Sequence, residues 1–307
     1  MEKLTFIISD IEANQRLDKY LKKIMPNAPQ SFIYKLIRKK DIRVNNKKSD
    51  AAYILNEDDT VVIFLTEAQV EEFIVPYTFT KIRRPLNIIY EDENILVVNK
   101  DAGLLVHGTE FENELTLTNI VLTYLYDRNE FDPLRRGYIP SPVSRIDRDT
   151  SGVVIFSKKQ SVHQVLANAF TQEDEVIRLY RLVVYGTLKK DEGAIELPLK
   201  RENGQTIPAS EGQKAITHYV VKKKGRTKTY VEAQLLTGRQ HQIRAHFKAI
   251  GHPLVGDTKY GSSTEQGPLS LNAYKVEFTA LPAPLDYLNG HEFIADNTAY
   301  LLEMLGD

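Results

Sequence analysis

Alternating apolar positions predict a strand over residues 3–8, followed by a short helix over 16–24. Pro29-Gln30-Ser31 predicts the start of a second helix, with Ser31 as its N-cap. In that helix Phe32, Ile33, Leu36 and Ile37 fall on one face, while Lys35, Arg38 and Lys39 share another. Ile42-Arg43-Val44 alternates as a strand into a turn at Asn45-Asn46, and residues 61–65 form another after Glu57-Asp58-Asp59. Residues 66–86 carry Pro76 and Pro85 and no sustained helical period, the pattern of a linker with some extended pairing.

Beyond this point the rhythm is mixed. Strands are predicted over 95–98, 104–106 and 153–157, with helices over 115–126 and about 160–170. Long alternating runs at 176–185, 215–222 and 228–236 predict antiparallel sheet. A helix over 239–250 is closed by Gly251, with Pro253 beyond it. No fixed-period repeat occurs. The pattern is α+β: a small α/β domain over 1–68, a linker over 69–86, and a mixed, largely antiparallel domain over 87–307.

Composition narrows the function classes. The chain has 307 residues, is 42% hydrophobic and 26% charged, and so has material for a core and no signature of disorder. It has no cysteine, which excludes a disulfide framework, Cys-ligated zinc and a thiol nucleophile. No stretch of 18 apolar residues and no apolar leader occur, so a cytoplasmic protein without membrane association is expected. Nothing marks a coiled coil or a dimer face, so a monomer is expected.

The net charge of −1 conceals an asymmetry. From Arg16 to Lys48 there are eleven basic residues against only Asp18 and Asp41, a net charge of +9 that leaves −10 on the rest. The run spans helix, strand and turn, which sets it apart from an ordinary solvated helix face. It points to a polyanionic partner, nucleic acid before anionic membrane.

Three segments carry candidate chemistry. Ser144-Arg145-Ile146-Asp147-Arg148-Asp149-Thr150-Ser151-Gly152 places a carboxylate between arginines before a hydroxyl-rich turn. Such partners keep a carboxylate ionised and oriented away from bulk water, although a surface salt bridge gives the same pattern. In Arg178-Leu179-Tyr180-Arg181-Leu182, alternation puts Arg178, Tyr180 and Leu182 on one face, where Tyr180 could stack on a base or simply pack. The third segment runs from Thr237-Gly238-Arg239-Gln240-His241-Gln242-Ile243-Arg244 through His246 to Gly256-Asp257. His241 and His246 are about 140° apart on a helix, and no His-Glu-x-x-His occurs, so no metal site is expected. Asp257 after Gly256 excludes a phosphate loop.

Two resemblances follow from these residues. Arg16-Leu17-Asp18-Lys19-Tyr20-Leu21, Ser31 to Lys39 and Ile42-Arg43-Val44-Asn45 resemble an S4 RNA-binding domain over about residues 14–65. Asp58 stands where that family has glycine, which is expected to alter the turn. The three chemical segments, with Tyr90 to Lys100 and Gly103 to His107, resemble the RluA-type RNA pseudouridine synthases over about 88–280. Ser144, Asp101 and Asn272 depart from that family's His, Pro and His.

The resemblance implies isomerisation of uridine to pseudouridine in RNA, without cofactor or metal, on a nucleotide turned out of its stack. It implies that Asp147 is the catalytic aspartate, Arg244 its partner and Tyr180 the ring against the uracil. Arg145 would fill the space left by the flipped nucleotide, and Ile146 and Leu182 would wall the pocket. Arg16, Lys35, Arg38, Lys39 and Arg43 would bind RNA, with Arg145, Arg178, Arg239 and Arg244 as a local basic lining near Asp147. The S4-like module resembles members acting on large-subunit ribosomal RNA, of 23S type, free or in the assembling subunit. Transfer RNA modification, or a non-catalytic ribosome-assembly role, are the alternatives. A glycosidase would need paired carboxylates across a sugar, and Asp147 and Asp149 sit in one loop.

Overall fold

The computed structural model describes residues 1–108, 115–135, 137–172, 174–261 and 267–306. The N-terminal part contains β1 (Glu2–Ile7), β2 (Gln15–Arg16), α1 (Leu17–Ile24) and α2 (Gln30–Lys39). These are followed by β3 (Ile42–Val44), β4 (Ile54–Leu55), β5 (Thr60–Leu65) and α3 (Glu67–Phe73). β1, β5 and β3 form an antiparallel sheet in that order. On it pack Leu17, Leu21 and Ile24 of α1 and Ile33, Leu36 and Ile37 of α2, all buried. The apolar stripe expected for α2 is thus the core face, and Lys35, Arg38 and Lys39 are exposed.

Three local readings are corrected. α2 is entered from Pro29, with no side-chain cap from Ser31, because Pro29 already supplies a suitable φ of −59°. Residues 67–73 are helix, not extended linker; Thr66 and Gln69 form a reciprocal capping box, and one buried residue, Phe73, anchors it. Asp58 adopts φ +65°, so the turn keeps the left-handed geometry that glycine would supply. Asp59 then accepts from the Asn56 amide at 2.8 Å and from Asn45 Nδ2 at 2.7 Å.

The second part opens with β6 (Ile88–Glu91), β7 (Ile95–Lys100) and α4 (Leu117–Asp127). It continues through β8 (Ser141–Pro142), β9 (Ser151–Ser157), α5 (Gln160–Ala169) and β10 (Val176–Tyr185). Then come β11 (Glu192–Glu196), β12 (Leu199–Glu202), β13 (Gln205–Pro208), β14 (Ile216–Lys224) and β15 (Lys228–Leu235). The chain closes with α6 (Gln242–Ala249), β16 (Leu271–Phe278), β17 (Glu292–Ile294) and α7 (Ala299–Leu305). Residues 104–106 are not a strand: only an isolated bridge from Leu105 to Thr116 forms there.

One sheet runs in the order β11-β14-β15-β10-β16-β9-β7-β6, with β17 on β16 and β8 on β9. Its pairings are antiparallel except β9 with β16. Alternation along β7 and β9 sends Ile95, Val97, Val153 and Ile155 toward α5. Leu96, Val98, Val154 and Phe156 point toward α4. Strands covered on both faces read as continuous apolar runs. Farther along the sheet, α6 covers Leu182, Val231 and Ala233 on one face, and α7 covers Val183 and Tyr230 on the other. Among the described residues no helix is long and apolar enough to cross a membrane.

Candidate active site

The loop carrying Asp147 is tied down twice on its C-terminal side. At its exit, Thr150 donates its amide to the Asp147 carbonyl at 3.2 Å, closing a turn. Ser151 and Gly152 then pair in parallel with Asn272 and Ala273. Gly152 has φ +123°, and a Cβ there would lie 2.2 Å from the Ala273 carbonyl oxygen. Only glycine permits this approach. Asn272, at one departure from the family pattern, donates to Ser151 Oγ at 2.9 Å.

The other tie is Lys100, whose role the sequence did not disclose. Its fully buried ammonium donates to the carbonyls of Asp101, Leu104 and Arg148 at 2.7–2.8 Å. Three acceptors saturate its three donors. Burial pushes Lys100 down to about 8, against Asp149, Asp147 and Asp101 nearby, so the ammonium form dominates at neutral pH. Lys100→Met should therefore cut turnover by about 10²-fold through loosened placement of Asp147, with RNA affinity little changed. Steady-state kinetics beside an equilibrium binding titration checks this.

Arg244 faces the loop from α6. Its Nε and Nη2 fork onto Asp257 at 2.8 and 2.9 Å, and its Nη1 reaches Asp147 Oδ2 at 3.3 Å. Burial alone would raise the Asp257 carboxyl. The Arg244 guanidinium and the Tyr260 and Lys259 amides outweigh that and hold it below the usual range. The strong bidentate bond is thus spent on Asp257, which orients Arg244, and Asp147 receives a single end-on contact. Asp147 keeps 23% of its side chain exposed, whereas that of Asp257 is fully buried. Asp257, used in the sequence only to exclude a phosphate loop, is the anchor of the site.

α6 begins at Gln242 instead of Arg239 because His241 takes φ +55°. Buried Gln242 fixes this start. It accepts from Thr237 Oγ1 and the Arg239 amide and donates to the Ile216 carbonyl and Thr217 Oγ1. Gln240 therefore lies outside the helix, on Arg201, while Phe247 is buried in the core. His241 bonds Tyr260 Oη at 2.8 Å and stands 3.7 Å from Asp147 Oδ1. Burial, partly offset by Asp147, holds the His241 ring below its ordinary value. Both nitrogens of His246 are engaged, by Thr217 Oγ1 and the Leu197 carbonyl.

Tyr180 lies where the β10–β16 register shifts between Leu179 and Arg181. The extra residue lies on β16, between Asn272 and Lys275, so β10 keeps its alternation and Tyr180 packs on the same cluster as Leu182. Burial pushes the phenol up to about 12, with Arg178 opposing and Asp147 adding to the shift. Ile146 is half-buried against the α4 cluster. Leu182 is fully buried in the cluster against which Tyr180 packs, so it supports the ring instead of offering pocket surface. Arg145 is exposed near His107, whose ring burial and Arg145 hold below its ordinary value.

The expected arginine lining is thinner than the sequence suggests. Arg178 is buried and donates to the carbonyls of Leu235 and Leu236. Arg244 is divided between two carboxylates, leaving Arg145 and Arg239 as the exposed members. In the N-terminal part, Arg16 forks onto Asp18 at 3.0 and 2.9 Å, so two of its donors are occupied. Arg43 is exposed, with its guanidinium 5.4 Å from the Phe64 ring centre.

Comparison with known proteins gives the family. The family model described as RNA pseudouridylate synthase matches residues 94–249, and that of the S4 domain matches residues 15–61. An uncharacterized RNA pseudouridine synthase of Aquifex aeolicus is 34% identical over 275 residues, covering 88% of this chain and 84% of the relative. A ribosomal large subunit pseudouridine synthase C of Vibrio parahaemolyticus is 34% identical, covering 83% of this chain and 79% of the relative. The solved human RNA pseudouridylate synthase domain containing 4 shares the fold, with a TM-score of 0.56 and 22% identity over 71% of this chain and 91% of that one. The chain therefore belongs to the RNA pseudouridine synthases, isomerases that act on uridine in RNA, and it carries an N-terminal S4 domain.

Proposed function

We propose that Asp147 is the catalytic carboxylate, acting on a uridine turned out of its stack, and that the substrate is large-subunit ribosomal RNA in the cytoplasm. The observation that carries the site is Arg244: locked on Asp257 through Nε and Nη2, it presents an N–H of Nη1 to a half-buried Asp147. A carboxylate so oriented reaches a flipped nucleotide without a rotamer search. The reaction breaks N1–C1′, turns the base and joins C5 to C1′, and a proton is lost from C5 while one is gained at N1. Tyr180, a neutral phenol at physiological pH, is suited to stacking and hydrogen bonding on the uracil. Ile146 and Tyr180 wall the detached base, whose escape would turn isomerisation into hydrolysis.

The name of the Vibrio parahaemolyticus relative supports the ribosomal target. Incubating the protein with ribosomal and transfer RNA transcripts and mapping pseudouridine at nucleotide resolution tests it. Product on ribosomal RNA is expected; product confined to transfer RNA would overturn the substrate.

Residues 1–68 are proposed as the principal grip on phosphate, through Lys35, Arg38, Lys39 and Arg43, with Arg16 contributing its unoccupied donors. Deleting them should weaken RNA affinity and flatten its dependence on salt, by about 0.7–0.9 in log–log slope for each phosphate no longer neutralised. Chemistry on a short substrate at saturation should suffer less. Arg145 is proposed to occupy the space of the flipped nucleotide. Arg145→Ala should lower activity about tenfold more on a base-paired target than on an unpaired one, which paired and unpaired hairpins distinguish.

A further inference from the structure

The S4 domain is bound to the catalytic part by a polar seam. Gln15 Nε2 donates to the Gly137 carbonyl at 3.0 Å, and Lys23 Nζ donates to the same carbonyl at 3.1 Å. Lys23 also reaches Gln160 Oε1 at 2.6 Å and Gln15 Oε1 at 2.7 Å. The Gln160 amide in turn donates to the Ile11 carbonyl at 2.9 Å. The Gly137 backbone is pressed against two side chains of the S4 domain: a Cβ there would lie 2.1 Å from Glu12 Oε1 and 2.5 Å from the Tyr20 ring. Glu12, Gln15 and Tyr20 are all buried. The connecting chain is tied down as well, by the Tyr77 amide on the Pro133 carbonyl at 2.9 Å and the Ile82 amide on Thr123 Oγ1 at 2.8 Å.

We infer that this seam makes the S4 domain a fixed spacer, with Lys23, Gln160 and Gly137 as positioning residues that select which uridines are modified. The inference rests on the RNA pseudouridine synthase reading and deepens it. The substrate class is RNA extended enough to lay phosphates on α2 and β3 while a uridine a set distance away enters at Asp147. On a loose tether, the basic face would raise the local concentration of any attached RNA and favour many uridines alike. Held rigidly, it strengthens binding only where spacing matches, so its whole contribution becomes discrimination. Buried polar groups paired across a seam favour one arrangement, since each would lose its partner on sliding. Burial also pushes Lys23 down to about 8, as expected of an ammonium enclosed between the two parts.

The absence of cysteine makes the geometry measurable. Asp50→Cys and Lys190→Cys, both at exposed positions, take one dye pair for single-molecule energy transfer. The otherwise wild-type chain should give one narrow distance distribution. Adding Lys23→Met with Gln160→Ala should broaden it, and Gln160→Ala alone serves if the double variant does not fold. In unlabelled protein the same seam substitutions should raise KM about tenfold for the long ribosomal transcript, with kcat unchanged. Both parameters should stay unchanged on a short hairpin bearing the same uridine. A broad distribution in the wild-type seam, a narrow one in the variants, or equal loss on both RNAs would overturn the spacer. A narrow distribution with no pseudouridine on either RNA would instead overturn the functional reading.

Discussion

Asp147→Asn is expected to abolish pseudouridine formation, by at least about 10³-fold, while RNA affinity stays within about twofold of wild type. The amide keeps the size of the carboxylate, so the loop between Lys100 and the β9–β16 contact should hold its shape. What disappears is the negative charge that meets Arg244 Nη1 and that the isomerisation requires. Product mapping and a binding titration on the same RNA separate the two effects. Isomerisation at the wild-type rate would remove Asp147 from the mechanism, and parallel loss of binding would reassign it to RNA contact.

Asp257→Ala should have the largest effect on stability. It strips the fork from a guanidinium whose side chain is only 7% exposed, leaving a buried charge with one end-on contact. Breaking such a pair costs about 3–5 kcal/mol, readable as a lower urea midpoint. Activity should fall too, because Arg244 loses the group that orients it toward Asp147. The folded Asp257 carboxyl titrates below its unfolded value of about 3.9, so its stabilisation is complete above that value. It is lost as pH falls through the folded pKa. The gap between wild type and Asp257→Ala should therefore stay flat from about pH 5 to 8 and close in acid. A gap that widens on acidification would contradict the ion pair.

Legibility in the sequence followed the physics of each element. Long apolar periods were readable: the face of α2, the doubly covered β9 and the alternating β10, β14 and β15 all lie where periodicity places them. α3 was not, because a short polar helix with one buried residue has no period; its signal was the capping pair Thr66 and Gln69. The start of α6 depends on Gln242 bonding to residues 216 and 217, a tertiary contact with no local trace. The face of Tyr180 was legible, since β10 keeps its alternation and the ring packs with Leu182 on one cluster. The motifs singled out Asp147, Tyr180 and Arg244, and the structure brings Asp147 and Arg244 into contact. Lys100 and Asp257 escaped notice, since a buried lysine bonded to carbonyls and a buried aspartate under an arginine look like surface charges in sequence.

The parallel contact between Ser151-Gly152 and Asn272-Ala273 bears on the protein's own synthesis. Strands that far apart cannot meet until translation has passed residue 278, where β16 ends. The S4 domain closes by local pairings, β1 with β5 and β3 with β5, all within the first 65 residues. Domains fold in the order they emerge, so a nascent chain presents its basic helix long before its catalytic loop is fixed. Under the proposed division of roles, the growing polypeptide would hold RNA while still unable to modify it, and competence would arrive only with its last quarter.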